Sequence, residues 1–408
     1  MKIISGNPFI KKEDDGMFLD NVSVNTILKS SSSPSMIFLE NRIRQNIRVF
    51  KRVFESLFNN FHCFYSMKAN YLPDICNVIR SEEVGVLVVS PLELNAALKA
   101  EFPSSGIIAG GPLLTQDFIE LCLENKIKEI IAYDLEDLKL INRLAARKNI
   151  VQDVCIRIKS QKYGSRLGIS SNSEKIEEIR STIKNCGNIN CVSLLSHLTT
   201  QMNNIHQYSK NVLSILDTCR NLNRSGIDIK NLNLGGGFPE AVIMTEKQLS
   251  RIVHVLRDLL ENHDTTFKRI YLEPGRYFVG DSGVFISKIV RSTEDRWIFL
   301  DIGNHICPKF ARNSLRFYNI SQINESHKYK TSIAGILPTD QDVLVKDYFF
   351  TKNLIKGDNV LITNVGAYTL TFSNRFPYRL PELFLVKDHE CRKIFDPVIN
   401  HDFALKLP

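Results

Sequence analysis

The sequence predicts an α/β protein: a closed parallel (β/α)8 barrel followed by an all-β domain. Three observations carry that prediction. Eight short apolar runs are separated by stretches of helical periodicity over about 210 residues, the rhythm of a parallel barrel. After about Gly283 strand-like runs follow one another without helices between them. The chain has 408 residues, 43% hydrophobic and 24% charged, an ordinary globular balance with room for two or three domains.

Residues 1–35 read as polar and irregular, ending in the run Ser30-Ser-Ser-Ser-Pro-Ser, and are expected to pack with the β domain. Met36–Leu39 reads as a short strand. A helix follows, because Ile43, Ile47, Phe50, Phe54 and Leu57 recur at three and four and form one apolar stripe. The eight barrel strands are then expected at 61–66, 84–89, 106–109, 129–132, 154–158, 192–196, 232–234 and 270–272. Leu135, Leu138, Ile141 and Ala145 mark one intervening helix; Ile252, Val255, Leu256 and Leu259 mark another. A doubly wound open sheet is the competing layout, and eight units without a long insertion favour closure. Strands at 284–290, 297–300, 331–336, 342–349 and 359–362 make the second domain. The expected limits are 1–35 for the N-terminal segment, 36–282 for the barrel and 283–408 for the β domain.

Composition narrows the function. The net charge of +8 comes from 52 basic and 44 acidic residues spread along the chain. Short basic pairs such as Lys11-Lys12 lack interleaved aromatic residues, so no nucleic-acid partner is expected. No run of eighteen apolar residues occurs, which excludes a transmembrane helix, and no signal peptide is read at the N-terminus. Nine cysteines form neither a disulfide framework nor a metal-ligand spacing, so reduced thiols in a cytoplasm and no metal are expected.

In such a barrel the chemistry sits at the C-terminal strand ends. The first strand runs into Ser66-Met-Lys-Ala-Asn70. A lysine leaving a buried strand either snorkels or supplies a desolvated amine to an aldehyde, as a Schiff-base lysine. The sixth ends in Ser196-His197-Leu-Thr, where a histidine can stack on a flat ring, move protons, or be merely structural. The seventh ends in Gly235-Gly236-Gly237, whose backbone N–H groups can cradle a phosphate. The eighth ends in Glu273-Pro-Gly275-Arg276, a carboxylate and a guanidinium that could serve two ends of one ligand or simply pair with each other. Tyr368, in Gly366-Ala-Tyr, offers a phenol that could also reach a phosphate. Together these imply one ligand with an aldehyde, a flat ring, a cationic ring nitrogen and a phosphate. Pyridoxal 5'-phosphate has each part.

The set Ser-Met-Lys-Ala-Asn, Ser-His-Leu-Thr-Thr-Gln, Leu-Gly-Gly-Gly-Phe-Pro, Glu-Pro-Gly-Arg-Tyr and Gly-Ala-Tyr resembles the fold-type III pyridoxal-phosphate decarboxylases acting on ornithine, lysine, arginine and diaminopimelate, with relatives in siderophore and antibiotic pathways. Ser165-Arg-Leu-Gly-Ile169, Leu300-Asp-Ile-Gly303 and Ala334-Gly-Ile-Leu337 are similar to further family segments. The resemblance implies an alanine-racemase-like barrel with a Greek-key-type β domain, a homodimer with shared sites, and an amino-acid substrate. It implies catalytic roles for Lys68, His197 and Glu273, and cofactor contacts from these with Gly235, Gly236, Gly237, Gly275, Arg276 and Tyr368. Substrate contacts are expected at Asp301, Thr339, Asp340 and Asp342. Alanine racemases usually continue Lys-Ala-Asn differently from the Tyr71-Leu-Pro-Asp found here.

Three departures stand out. Pro338 aligns with the cysteine that the family contributes across the dimer, and Leu87 with an aspartate. Thr199 also replaces a family glycine. The cofactor set is complete while the substrate turn is altered. The leading expectation is therefore a decarboxylase of an unusual amino acid, one carried on a larger scaffold in secondary metabolism. The alternatives are a diaminopimelate- or ornithine-type enzyme of primary metabolism, decarboxylation coupled to transamination, and a non-catalytic regulator resembling antizyme inhibitors.

Overall fold

A computed structural model describes residues 2–13, 16–159, 165–263, 266–311, 314–374 and 376–400. The chain divides into two compact units, one of residues 1–46, 240–243 and 276–408, the other of 47–239 and 244–275.

The first unit opens with an antiparallel meander of four strands, β1 (Lys2–Ile4), β2 (Asn7–Glu13), β3 (Gly16–Leu19) and β4 (Val22–Ser23), capped by helix α1 (Val24–Ser30). This replaces the irregular segment expected from sequence. Alternation is the reason: Ile10, Met17, Leu19 and Val22 turn inward to a core with Ile27 and Ile37, while the charged run Lys11-Lys12-Glu13 masks the pattern. Next comes β5 (Ser35–Leu39), every residue of which is buried. It is not a barrel strand, as the expected limit at residue 36 implied. It pairs with strands from the far end of the chain, described below. A run buried on both faces declares its burial but not its sheet. Helix α2 (Glu40–Glu55) follows, with Ile43, Ile47, Phe50 and Phe54 fully buried.

The second unit is the barrel. Its strands are β6 (Phe61–Ser66), β7 (Gly85–Val88), β8 (Ile107–Gly110), β9 (Glu129–Ala132), β10 (Gln152–Arg157), β11 (Ile189–Leu195), β12 (Asn231–Asn233) and β13 (Arg269–Leu272). All pairs are parallel, and β13 pairs with β6 to close the ring. Inside, Phe64, Leu87, Ile108, Ile131, Cys155, Leu195 and Tyr271 form one packed layer, one side chain from each of seven strands. The helices between are α3 (Pro73–Ser81), α4 (Pro91–Lys99), α5 (Gln116–Glu124), α6 (Leu135–Arg147), α7 (Ser173–Lys184), α8 (Ile205–Arg224) and α9 (Glu246–Glu261). Their starts are written in the sequence. Capping boxes at Asp134/Asp137, Asn204/Gln207 and Thr245/Gln248 satisfy the free N–H groups of the first turns.

After a short helix α10 (Arg276–Val279), the chain returns to the first unit as β14 (Gly283–Ser292), β15 (Trp297–Leu300), β16 (Arg316–Asn319), β17 (Tyr329–Ala334), β18 (Val343–Phe350), β19 (Asn359–Thr363), β20 (Glu382–Lys387) and β21 (Glu390–Phe395). Strand β5 lies between β14 and β20, antiparallel to one and parallel to the other. Strands β16, β20 and β21 escape the sequence reading. All nine cysteines are free, eight of them buried, and burial pushes the thiols of Cys63 and Cys191 up to about 12. Among the described residues no helix is long and apolar enough to cross a membrane.

Candidate active site

The C-terminal ends of β6, β10, β11, β12 and β13 bring together most of the barrel residues singled out by sequence. Strand β6 leaves the ring with Ser66 N–H donating to the Pro274 carbonyl (3.0 Å). The next turn, Met67–Ala69, carries Lys68 outward. Two bonds fix that turn. The buried Tyr65 hydroxyl donates to the Asn70 carbonyl (2.8 Å), and Asn70 Oδ1 accepts the Leu72 N–H (3.1 Å). Lys68 is exposed, not desolvated as the sequence suggested. It lies close enough to Glu273 and Glu93 to favour the ionised form of both carboxyls.

The glycine run is dictated by its neighbours. Gly235 and Gly237 have φ of +66° and +92°, the region that glycine alone adopts freely. A Cβ on Gly235 would come within 2.8 Å of the Ser196 carbonyl, and one on Gly236 would collide with the Glu273 carbonyl. The Gly236 N–H donates to His197 Nδ1 (3.1 Å), so Nδ1 carries no proton and the ring is the neutral Nε2–H form. Burial, then Arg157 and Lys68, push the His197 pKa down to about 3. An unfolded histidine takes up its proton near 6.5. This one therefore favours the fold fully above pH 6.5, and the contribution drains away as pH falls toward 3. His197→Asn should lose less stability than the parent between pH 7 and pH 4 in urea unfolding. An unchanged acid limb would show that His197 is charged in the native state.

Glu273 is 7% exposed. Asn233 Nδ2 donates to its Oε1 (2.8 Å), while Asn233 Oδ1 accepts the Gly235 N–H (2.9 Å). Burial raises its pKa, and Lys68, the Asn233 bond and Arg157 pull it back. Arg157 lies over the Tyr133 ring at 5.0 Å and donates to its hydroxyl (3.0 Å). The segment from Ser165 runs beside β10, where Gly168 (φ +101°) sits against the Arg157 carbonyl.

Sequence reasoning did not single out Asn233, Arg157, Tyr133 or Glu93. Glu93 left a signal in Ser90-Pro-Leu-Glu, a helix start: Ser90 Oγ accepts the Glu93 N–H (3.3 Å), and the buried Glu93 carboxylate accepts the Val89 N–H (2.8 Å). Asn233 left another, an amide inside the apolar run Leu232-Asn-Leu. Leu87, the residue aligned with a family aspartate, is part of the interior layer.

Gly275 closes the barrel unit, and Arg276 opens the next stretch of the first unit. There Arg276 and Glu240 are a buried ion pair (3.2 Å; 4% and 1% exposed). This, and not a pair with Glu273, is the bridge that Arg276 makes. Its guanidinium also donates to the Phe310 carbonyl (3.2 Å) and lies over the Tyr368 ring at 4.9 Å. Tyr368 has φ +61°.

The expected substrate residues lie on the β unit. The Asp342 carboxylate is buried and occupied by backbone: Oδ1 accepts the Asn304 N–H (2.7 Å) and Oδ2 the Leu337 N–H (2.8 Å). Asp301 accepts from the Ser33 and Ser287 hydroxyls and the Lys288 N–H. Asp342 is buried and Asp301 half-buried, and each meets donors of its own unit. Thr339 and Asp340 stand exposed on the turn with Pro338.

A family model for the "pyridoxal-dependent decarboxylase, pyridoxal binding domain" matches residues 40–280. The chain belongs to the pyridoxal-dependent decarboxylases. Among its relatives are diaminopimelate decarboxylase of Staphylococcus aureus, 24% identical over 94% of this chain and 96% of that one, and L-glutamyl-[BtrI acyl-carrier protein] decarboxylase of Niallia circulans, 28% identical over 88% and 89%. The fold matches diaminopimelate decarboxylase from M. jannaschii in complex with L-lysine, with a TM-score of 0.86, 23% identity and 95% of each chain covered. This decarboxylase acts on an amino acid and uses pyridoxal phosphate. The barrel fits that group. It offers a flat neutral imidazole fixed from behind, a buried carboxylate, an amine within their field, and a glycine turn whose crowding with Ser196, Thr199 and Glu273 leaves no room for side chains.

Proposed function

We propose that this decarboxylase acts on an amino acid presented as part of a larger acyl group, on a carrier, and not on a free diamine-type amino acid. The observation that carries this is the state of Asp342. A substrate with a distal ammonium needs a carboxylate within its reach, and Asp342 is 2% exposed with its oxygens turned to two backbone N–H groups. Pro338, aligned with the family thiol, has no proton to give. The relative that acts on an acyl-carrier-protein substrate supports the same reading. A diaminopimelate decarboxylase is the second reading, favoured by the full-length relatives of that name. A non-catalytic regulator is disfavoured by the completeness of the barrel set.

In this proposal the Lys68 amine would hold the cofactor's aldehyde, His197 would lie against its ring, and Glu273 would keep its ring nitrogen protonated. Gly235–Gly237 and Gly275 of the barrel would receive its phosphate. The bound cofactor supplies an electron sink for the bond to the departing carboxyl group. The protein supplies orientation and charge: Asn233 aims Glu273, and Gly236 N–H keeps His197 neutral and flat. Lys68 would also be the acid that returns a proton once carbon dioxide has left.

The test compares CO2 release from meso-diaminopimelate, ornithine and lysine with release from aminoacyl-pantetheine thioesters. Turnover of the thioesters alone is expected. Efficient use of free diaminopimelate would overturn the carrier reading and leave the second.

A homodimer with shared sites is part of the proposal. It is supported by the exposed Pro338–Gln341 turn and by Phe310, Phe372, Phe376 and Tyr378, between 42% and 60% exposed on the β unit; exposed aromatic groups of this kind commonly mark an interface. Mixing inactive Lys68→Ala chains with chains damaged only in that turn should restore part of the activity. A fully active monomer at the assay concentration would refute it.

A further inference from the structure

The barrel has a second concavity, at the opposite end from Lys68, His197 and Glu273. Its volume is about 660 Å3, within the range of small-molecule sites. Its lining includes His62, Gly85, Gly106, Lys128 and Arg269, which lie at the N-terminal ends of five adjacent strands, β13-β6-β7-β8-β9. Residues at that end of a barrel ordinarily serve stability, but here Lys128 and Arg269 line a cavity.

Lys128 and Arg269 face the same space, and each raises the cost of the other's charge. Burial and then Arg269 hold the Lys128 ammonium below its usual range, and the same two causes, with Lys128, lower His62. Among the described residues neither cation has a carboxylate within ion-pair distance. The buried Glu129 nearby is taken by Ser193 (2.6 Å). The other charges lining the space are Lys51 and Arg80 against Glu55 and Glu83, which leaves the cavity net positive. Lys51 is tied to the Glu82 carbonyl (3.1 Å) and Arg80 to Glu101 (3.7 Å), whereas Glu129 and Asp153 act on Lys128 only from beyond ion-pair distance and its ammonium lies over the Tyr271 ring at 5.8 Å. Phe64, Phe102 and Pro103 supply an apolar wall.

We propose that this cavity is a second ligand site, one that takes an organic anion with its phosphate or carboxylate head between Lys128 and Arg269 and its apolar body against Phe102 and Pro103. Two half-buried cations that repel each other weaken the fold unless an anion joins them. A ligand that does so stabilises the folded chain by mass action.

Calorimetric titration of the holoenzyme with phenyl phosphate, phenylacetate and inorganic phosphate tests this. One site per chain is expected for phenyl phosphate, phenylacetate or both. The tighter of the two names the head group, and weaker binding of inorganic phosphate reports the apolar wall. Lys128→Gln and Arg269→Gln should each weaken binding about tenfold or more, the loss of one charge-assisted bond, with turnover of the amino-acid substrate unchanged. Crystals of the parent holoenzyme soaked in 4-bromophenyl phosphate give a readout independent of the variants, with bromine density expected beside Lys128. No binding, binding unaltered by both substitutions, or bromine density confined to the strand ends near Lys68 would each overturn the proposal.

Discussion

Lys68→Ala should lower CO2 release by at least roughly 10²–10⁴-fold, because one substitution removes both the amine that holds the cofactor and the nearest proton donor. The fold should survive. Lys68 is exposed, and an exposed side chain truncated away from caps and buried partners typically changes stability by about 0.5 kcal/mol or less. The inactive variant should therefore unfold at the same urea concentration as the parent. Borohydride reduction followed by peptide mass measurement should find the cofactor on Lys68 in the parent and no labelled peptide in the variant. Substantial turnover by Lys68→Ala would remove this residue from the proposed chemistry.

Glu273→Gln separates charge from shape. Glutamine still accepts the Asn233 amide that Glu273 accepts at 2.8 Å, but it carries no negative charge toward the ring nitrogen. A fall in kcat of about 10²–10³ is expected, the usual size for losing one preorganised electrostatic partner, with cofactor affinity largely kept. Glu273→Ala goes further and strands the Asn233 amide, which adds about 1–3 kcal/mol of lost stability. Equal kcat in Glu273→Gln and the parent would mean that the carboxylate serves the fold and not the reaction.

The contrast between barrel and β unit shows what a sequence can carry. Each barrel strand pairs with strands next to it in the ring, and its helix is announced by local caps such as Asn204/Gln207, so both reading and structure give the same eight strands. Strand β21, Glu-Cys-Arg-Lys-Ile-Phe, has no fully buried residue, so nothing in its composition declares a strand until β20 lies beside it. Lys68, His197 and Glu273 were legible because each follows an apolar run. Asp342 was legible as an acid but not as an occupied one, because its partners, Asn304 N–H and Leu337 N–H, are set by the folded turn. Arg276 likewise met Glu240, an acid that no spacing rule connects to it.

The position of β5 bears on how the protein is made. Ser35–Leu39 leaves the ribosome long before one of its neighbours, Glu382–Lys387, has been synthesised. The barrel's strands emerge in an unbroken series and can pair as they appear, whereas β5 must keep its β20 edge unmatched while the entire barrel is made. Such an edge, wholly apolar in Met36-Ile-Phe-Leu, invites association between nascent chains. Polysome density and chaperone occupancy would govern soluble yield, and slowing elongation before residue 382 should lower it more than slowing elongation after residue 387.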